Sequence, residues 1–345
     1  MNFSLGHPNS VLLQDHMCVY TIQKPDDNLT LLERYHNELK NFDGCTLMLS
    51  GGSDSQFMLR LLQHFNIKFI PITYKTTWKG GVVNTDDVIY AQEVAKKFSL
   101  DLEIIDFDLK EFYDGNHHMK WGRQLGVYSP QVAMHLEFID RYIPPNSKLV
   151  MGGDMPYLLY GEGRRGVSDI YPSAFVGLDY LNMDTPDAII GTIKPYHDIC
   201  ENKGIQLIKN ISYCSPQALY QILEQQINIV KEQRIHLIYS TDEPQFREML
   251  EFKKAVWNSI LPGDVDTLMK VGGFERLKKI LAVKSGIYNQ YDKLYRKPMQ
   301  TYKSKTEGFR FKHKFDDATK QLPRRFEDAI KESDSTCVNG FHFDF

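Results

Sequence analysis

Paired cysteines are missing from this chain. Its five cysteines (Cys18, Cys45, Cys200, Cys214 and Cys337) are odd in number, widely scattered, and include no Cys-x-x-Cys. That argues against a cysteine-rich structural zinc site or a disulfide framework, and fits reduced, buried thiols. Long apolar runs are also missing, since none approaches the roughly 20 residues that cross a bilayer. The start, Met1 to His7, lacks a charged segment followed by an apolar core, so no secretory leader is expected and the chain reads as cytoplasmic, without a membrane partner. Nor is there an excess of charge. The 41 basic and 44 acidic residues leave a net charge of −3, with no bulk attraction to nucleic acid, although a local basic patch is not excluded. Internal repeats are absent too: Ser129-Pro130-Gln131 and Ser215-Pro216-Gln217 each open a helix, but the similarity stops there.

The chain is organised around Thr46-Leu47-Met48-Leu49-Ser50-Gly51-Gly52-Ser53-Asp54-Ser55, followed by Gln56 to Leu62. Four apolar or β-tolerant residues read as a buried parallel strand. Gly51 and Gly52 permit a tight turn. Ser53, Asp54 and Ser55 are natural N-cap residues, and apolar residues recur after them at helical spacing. A strand, a glycine turn and a helix N-terminus together make an anion site, because uncapped N–H groups and the helix dipole point into the turn. No Gly-Lys-Ser/Thr follows, which excludes the Walker loop, and no third glycine completes a dinucleotide fingerprint.

Along the rest of the chain, residues 1–43 read as a leader of one or two short strands (Ser10–Leu13, Cys18–Ile22) and a helix capped by Asn28 or Thr30, packed against the sheet. Ile67–Tyr74 is the second strand of the sheet, its Pro71 marking an edge or a strand end. Lys75–Thr85 reads as a lid or substrate loop, Asp86–Phe98 as a helix and Leu102–Phe107 as a third strand. Asn116–Arg123 reads as a loop over the site, and Lys148–Met151 as a fourth strand ending in Gly152-Gly153-Asp154. Alternating strands and helices predict an α/β fold with a parallel sheet of about five strands flanked by helices. Ligands in such sheets bind at the carboxyl ends of the strands, which puts Ser50–Ser55, Thr73–Thr77 and Gly152–Asp154 on one edge. The expected organisation is the leader 1–43, an α/β domain 44–180 built around the anion turn, and a mainly helical region 181–345 that completes the site. Its helices include Ser215–Glu232, Glu243–Ile260 and Phe274–Leu281. The stretch Lys293–Lys312 is basic and aromatic.

A nucleoside triphosphate carries about four negative charges, and its cleavage usually needs Mg²⁺ held by one or two carboxylates. Asp54 lies at the mouth of the turn, where a metal would resolve its repulsion of phosphate. Asp154 is the best second ligand. His117, His118, His135, His197 and His313 show no metal-ligand spacing with the cysteines and read as loop or core histidines.

Ser-Gly-Gly-x-Asp-Ser resembles the signature of the PP-loop (N-type ATP pyrophosphatase) superfamily, whose members cleave ATP between the α- and β-phosphates and adenylate a substrate. Within it, Asn84–Phe98 followed by Leu102–Phe107 is similar to a segment of asparagine synthetases and β-lactam synthetases. Met151-Gly152-Gly153-Asp154 stands where that family has Ser-Gly-x-Gly-x-Asp-Glu, with Met155-Pro156-Tyr157 replacing the Asp-Glu end. Tyr302–Phe309 is similar to the family's Arg-x-Lys-x-x-Phe segment, with one extra residue before the phenylalanine. The resemblance implies an adenine nucleotide alpha hydrolase-like fold with ATP and Mg²⁺ as cofactors. It implies Lys305 as the cation that stabilises the transition states, together with Asp54. It implies adenosine held by Leu49, Ile72, Met151 and Gly152, with Thr73 alongside, and pyrophosphate held by Ser50, Gly51, Gly52, Ser53 and Ser55. Leu49 and Ile72 also suit plain core positions. Metal ligation falls to Asp54 and Asp154.

The activity so implied is an ATP-dependent ligase that adenylates a carboxylate and forms an amide with ammonia or an amine. Met1 is followed by Asn2, not by the nucleophilic cysteine of a glutaminase, so any ammonia is expected to be free or supplied by a separate donor. Three other readings stay open. A PP-loop enzyme could modify a tRNA base or nucleobase, with the 293–312 segment on phosphates. A sulfonucleotide reductase would use Cys337, here without the Glu-Cys-Gly-x-His pattern. A non-catalytic module would bind ATP without releasing pyrophosphate.

Overall fold

The computed structural model describes residues 10–14, 17–21, 23–78, 80–82, 84–125, 130–153, 175–176, 187–191, 193–233, 243–265, 302–303, 310–311, 337–338 and 341–342. Strands β1 (Ser10–Gln14) and β2 (Met17–Thr21) form an antiparallel hairpin. Helix α1 (Leu31–Leu39) follows, and Thr30 is its cap. The Thr30 side chain accepts from Glu33 N–H while the Glu33 carboxylate accepts from Thr30 N–H, which satisfies two otherwise orphaned donors. The αβ succession then runs β3 (Cys45–Met48), α2 (Ser53–His64), β4 (Phe69–Trp78), β5 (Gly81–Val82), α3 (Thr85–Lys97) and β6 (Glu103–Asp108). After it come α4 (Leu109–Asp114), α5 (His117–Leu125), α6 (Pro130–Tyr142) and β7 (Lys148–Met151). Next are β8 (Phe175–Val176), β9 (Asp187–Gly191), α7 (Ile193–Asn202), β10 (Gln206–Lys209), α8 (Pro216–Gln233) and α9 (Glu243–Ile260). Two small hairpins close the described chain: β11 (Tyr302–Lys303) with β12 (Arg310–Phe311), and β13 (Cys337–Val338) with β14 (Phe341–His342).

The main sheet has the order β10-β7-β3-β4-β6, and every neighbouring pair in that order is parallel. Strand β5 adds an antiparallel tip to β4. The α/β architecture with helix-flanked parallel strands is therefore as expected. Alternate residues feed two cores, as a strand buried on both faces requires. Leu47 and Val150 join Phe57 and Leu61 of α2, Leu223 of α8, and Phe252 and Trp257 of α9. Leu149 and Met151 join Leu136 and Phe138 of α6 and Tyr196 and Ile199 of α7. Pro71 is explained by local register. Leu49 N–H donates to the Ile72 carbonyl, so alternation turns the Pro71 nitrogen toward β6, whose pairing begins only at Ile72.

Two local expectations, at 75–85 and 116–123, are corrected, and two further features add to the rest. Residues 75–85 are not a free loop: β-prone Thr76, Thr77 and Trp78 prolong β4, and Gly80 at φ 83° turns the chain into β5. Asn116–Arg123 is not a loop either, because His117–Leu125 is helix α5 packed on α6, with Trp121 buried. The leader strands do not join the main sheet. They pair with β9 and β8 in a separate four-stranded antiparallel sheet, their partners lying far along the chain. Within 181–345, β10 is a strand of the main sheet, and its four residues are too few for a period-2 pattern to show. The expected helix Phe274–Leu281 lies outside the described residues.

Candidate functional site

The turn after β3 has the expected course with one shift in register. Gly52 is the N-cap of α2 and makes no side-chain cap bond, while Ser53, Asp54 and Ser55 occupy the first helical turn. The serines expected as caps instead tie the turn together. Ser55 Oγ donates to the Gly52 carbonyl at 2.9 Å and accepts from Ser50 N–H at 3.3 Å, with Ser50 Oγ also 3.3 Å away. Gln56, buried behind the turn, donates from its side-chain amide to the Gly51 carbonyl at 2.7 Å. Gly51 has φ 74°, and a β-carbon there would stand 2.6 Å from Tyr90 Cβ and 2.9 Å from Ala91 N, so α3 closes directly on the turn. No side chain caps the positive end of the helix dipole from the N-cap position, which suits an anion lying across it.

The sheet brings a second predicted segment to the same place. Met48 pairs with both Ile72 and Met151, and Met151 pairs with Lys209, so β3, β7 and β10 end in one row at this edge while β4 runs on past it. A β-carbon on Gly152 would lie 2.8 Å from Ser55 N and 2.9 Å from the Asp54 carbonyl carbon. Gly152 thus packs backbone to backbone on the first turn of α2. Leu49, Ile72, Thr73 and Met151 all sit at this edge with buried side chains, Leu49 in one core and Ile72 and Met151 in the other. Their backbones, not their side chains, are what they offer a ligand. Asp154 and Lys305 lie outside the described residues.

Three residues that sequence reasoning passed over complete the edge. Lys253 of α9 puts Nζ 3.2 Å from Asp54 Oδ2, and Trp257 donates its indole N–H to Oδ1 at 3.3 Å. Trp257 is itself fixed by stacking on Phe57 of α2, centroids 4.0 Å apart and planes at 13°. Lys209, last residue of β10, has Nζ 3.2 Å from where a Gly153 β-carbon would stand. Its position after an apolar strand was the one local signal. For Lys253 and Trp257, one turn apart on an amphipathic helix, no local pattern separates them from core and surface positions.

The expected conflict between the Asp54 carboxylate and phosphate is therefore met in the folded chain by a lysine. Asp54 remains a fit ligand for one magnesium position when nucleotide oxygens supply the rest of the octahedron, provided Lys253 yields it. Among the described residues, no group of three or more His, Cys, Asp or Glu side chains could hold a metal ion, and no helix is long and apolar enough to cross a membrane. Cys45, Cys200 and Cys214 are buried free thiols. Burial pushes the Cys45 thiol up to about 11 and Cys200 up to about 12.

No protein-family model matches the chain, and no curated protein matches it in sequence. Among solved structures, one similar chain is a predicted subunit of tRNA methyltransferase from Methanocaldococcus jannaschii. It is 15% identical over 56% of this chain and 89% of its own, with a TM-score of 0.27. Another is the U34-tRNA thiolase NcsA from Methanococcus maripaludis, solved with its 4Fe–4S cluster. It is 12% identical over 90% of this chain and 82% of its own, with a TM-score of 0.30. Likenesses at this level say nothing of what this chain acts on. Neither protein is an asparagine synthetase or a β-lactam synthetase.

Proposed function

We propose that this chain is a PP-loop enzyme that binds ATP at Ser50–Ser55, cleaves it between the α- and β-phosphates, and adenylates a substrate. The observation that carries this reading is the packing of Gly152 on the backbone of Asp54 and Ser55. It joins two segments about a hundred residues apart in the sequence at the N-terminus of α2, at the carboxyl edge of a parallel sheet. Backbone N–H groups of the turn would hold the pyrophosphate. Lys209, beside Gly153, and Lys253, beside Asp54, bring two cations to this edge. Mg²⁺, held by Asp54 with phosphate oxygens, would neutralise charge on the leaving pyrophosphate.

The acceptor is a finer matter. An asparagine synthetase-like ligase joins an adenylated carboxylate to ammonia or an amine, and a base-modifying enzyme activates a tRNA base by the same half-reaction. The segments similar to the ligases include Asn84–Phe98 and Leu102–Phe107, which form α3 and β6 and bring no acceptor chemistry of their own, while Asp154 and Lys305 lie outside the described residues. The geometry therefore supports the shared half-reaction and not the ligase in particular. The basic, aromatic 293–312 segment suits phosphate contacts, which makes bulk tRNA the second acceptor to offer.

The test is product analysis from Mg²⁺–ATP, with pooled amino acids and ammonia in one arm and bulk tRNA in the other. AMP and pyrophosphate, lost in Asp54→Ala, are expected in one arm, and that arm names the acceptor class. ADP and phosphate, or tight ATP binding without turnover in either arm, would overturn the proposal and leave a nucleotide-binding module.

A further inference from the structure

A hydrogen-bonded chain of three titratable side chains stands beside the nucleotide edge. Tyr74 lies on β4 two residues beyond Ile72, past the last row shared by β4, β3, β7 and β10. Its hydroxyl is 2.7 Å from Nε2 of His135 on α6. Nδ1 of the same ring is 2.8 Å from the hydroxyl of Tyr196 on α7. The Tyr196 ring carries the Lys209 ammonium 4.8 Å from its centroid. Lys209 in turn abuts Gly153, next to the Gly152 that packs on Ser55. From the imidazole to the anion turn the path runs through one phenol, one lysine and two glycines.

The chemistry of this chain is unlike that of a structural histidine anchored to a backbone carbonyl. A neutral imidazole has one N–H and one bare nitrogen. With a phenol at each nitrogen, one hydroxyl donates to the ring while the ring donates to the other hydroxyl oxygen. Reversing both bonds moves one proton from end to end without moving a heavy atom. Both tautomers of the ring satisfy the two bonds, so a proton can pass along them in either direction.

We infer that Tyr74, His135 and Tyr196 form a proton relay serving the second half of the reaction, with Lys209 holding the Tyr196 end against the phosphate edge. The inference rests on the adenylation reading above. In the step concerned, a nitrogen nucleophile bonds to the adenylated carbon. The bond from that carbon to the AMP oxygen breaks, and AMP leaves with the electron pair. The proton shed by the nitrogen enters a phenol oxygen as that phenol hands its own to His135. The resulting imidazolium returns the proton to solvent on turnover. Among the described residues, Tyr74 from β4 and Tyr196 from α7 bond to His135, with Lys209 of β10 over the Tyr196 ring. His117 and Lys120 of α5 pair with Glu137 and Asp140 on α6 instead.

The test uses the full chain and the acceptor arm in which the wild type turns over. His135→Gln, Tyr74→Phe and Tyr196→Phe are compared for ATP affinity by calorimetry, thermal melting, and the pH dependence of AMP release. In a folded His135→Gln, AMP release is expected to fall roughly 10²–10⁴-fold. The acidic limb of the wild-type profile should vanish, and ATP affinity should stay within about twofold. Each phenylalanine variant, which keeps the ring at 135, should reproduce part of the loss and serves if His135→Gln does not fold. A folded His135→Gln that keeps both rate and acidic limb overturns the relay alone. So does a parallel loss of ATP affinity and rate in all three variants, which would mark a packing role. A wild type that binds ATP but releases no pyrophosphate removes the adenylation reading, and the relay with it.

Discussion

Lys253 and Asp54, 199 residues apart in sequence, meet with Nζ 3.2 Å from Oδ2 at the N-terminus of α2. The pair is mostly enclosed, with side chains 14% and 21% exposed. The turn thus presents a polyphosphate with a carboxylate already neutralised. Removing the lysine in Lys253→Met should weaken ATP binding roughly 10- to 100-fold, the value of about 1.5–3 kcal/mol for a charged hydrogen bond. Calorimetric titration with ATP, with and without Mg²⁺, reads this directly. Wild-type affinity in the variant would remove Lys253 from the site.

Gly152 leaves no room for a side chain. In Gly152→Ala the new carbon would meet backbone atoms of Asp54 and Ser55 at 2.8–2.9 Å, so helix and strand must part. Overpacking of this kind costs about 1–3 kcal/mol. The variant should melt lower and lose ATP affinity. Gly81→Ala, whose β-carbon would have only ordinary contact with the Trp78 carbonyl at 3.6 Å, should do neither. Equal effects at both positions would mean that the packing at Gly152 has no special part in binding.

Alkaline pH should destabilise the fold through its buried thiols. Burial raises Cys45 to about 11 and Cys200 to about 12, above the ordinary thiol value near 9. Between those values the unfolded chain has lost protons that the folded chain keeps, so stability is full below about pH 9 and declines as pH rises. Urea denaturation across pH 8–11 should show this slope, and it should shrink in Cys45→Ala/Cys200→Ala. An unchanged slope in the double variant would assign the alkaline loss to other groups, such as buried Tyr35, which burial also raises.

Thr30→Ala should cost about 1 kcal/mol, the usual value of an N-cap. Its hydroxyl oxygen accepts from Glu33 N–H at 3.2 Å, and alanine cannot replace it. Denaturant midpoints measure the loss. ATP affinity should be unchanged, since the Thr30 cap bonds lie within the first turn of α1, which packs on α8.

Elements fixed by neighbouring residues are legible in the sequence. The cap at Thr30, the limits of α9 at Glu243 and Ile260, and the strand, turn and helix from Cys45 to His64 follow from patterns a few residues long. Polar segments are where a loop and a regular element look alike. Thr76 and Thr77 are polar yet β-branched, and Asn84 stabilises the extension of β4 by accepting from Thr76 N–H and donating to the Tyr74 carbonyl. In α5, Trp121 is buried by an indole N–H bond to Glu137, a partner on another helix. Such partners have no local signature.

The sequence by itself determined that a strand would end in a glycine turn under an open helix N-terminus. Apolar runs, a glycine at positive φ and 3.6-residue spacing act within ten residues of chain. Only the tertiary structure decided what surrounds that turn. Gly152, Lys209, Lys253 and the Tyr74–His135–Tyr196 chain reach it from separate strands and helices. Their convergence depends on strand order and on which helix face is buried, and both are settled by burying apolar surface across the whole molecule.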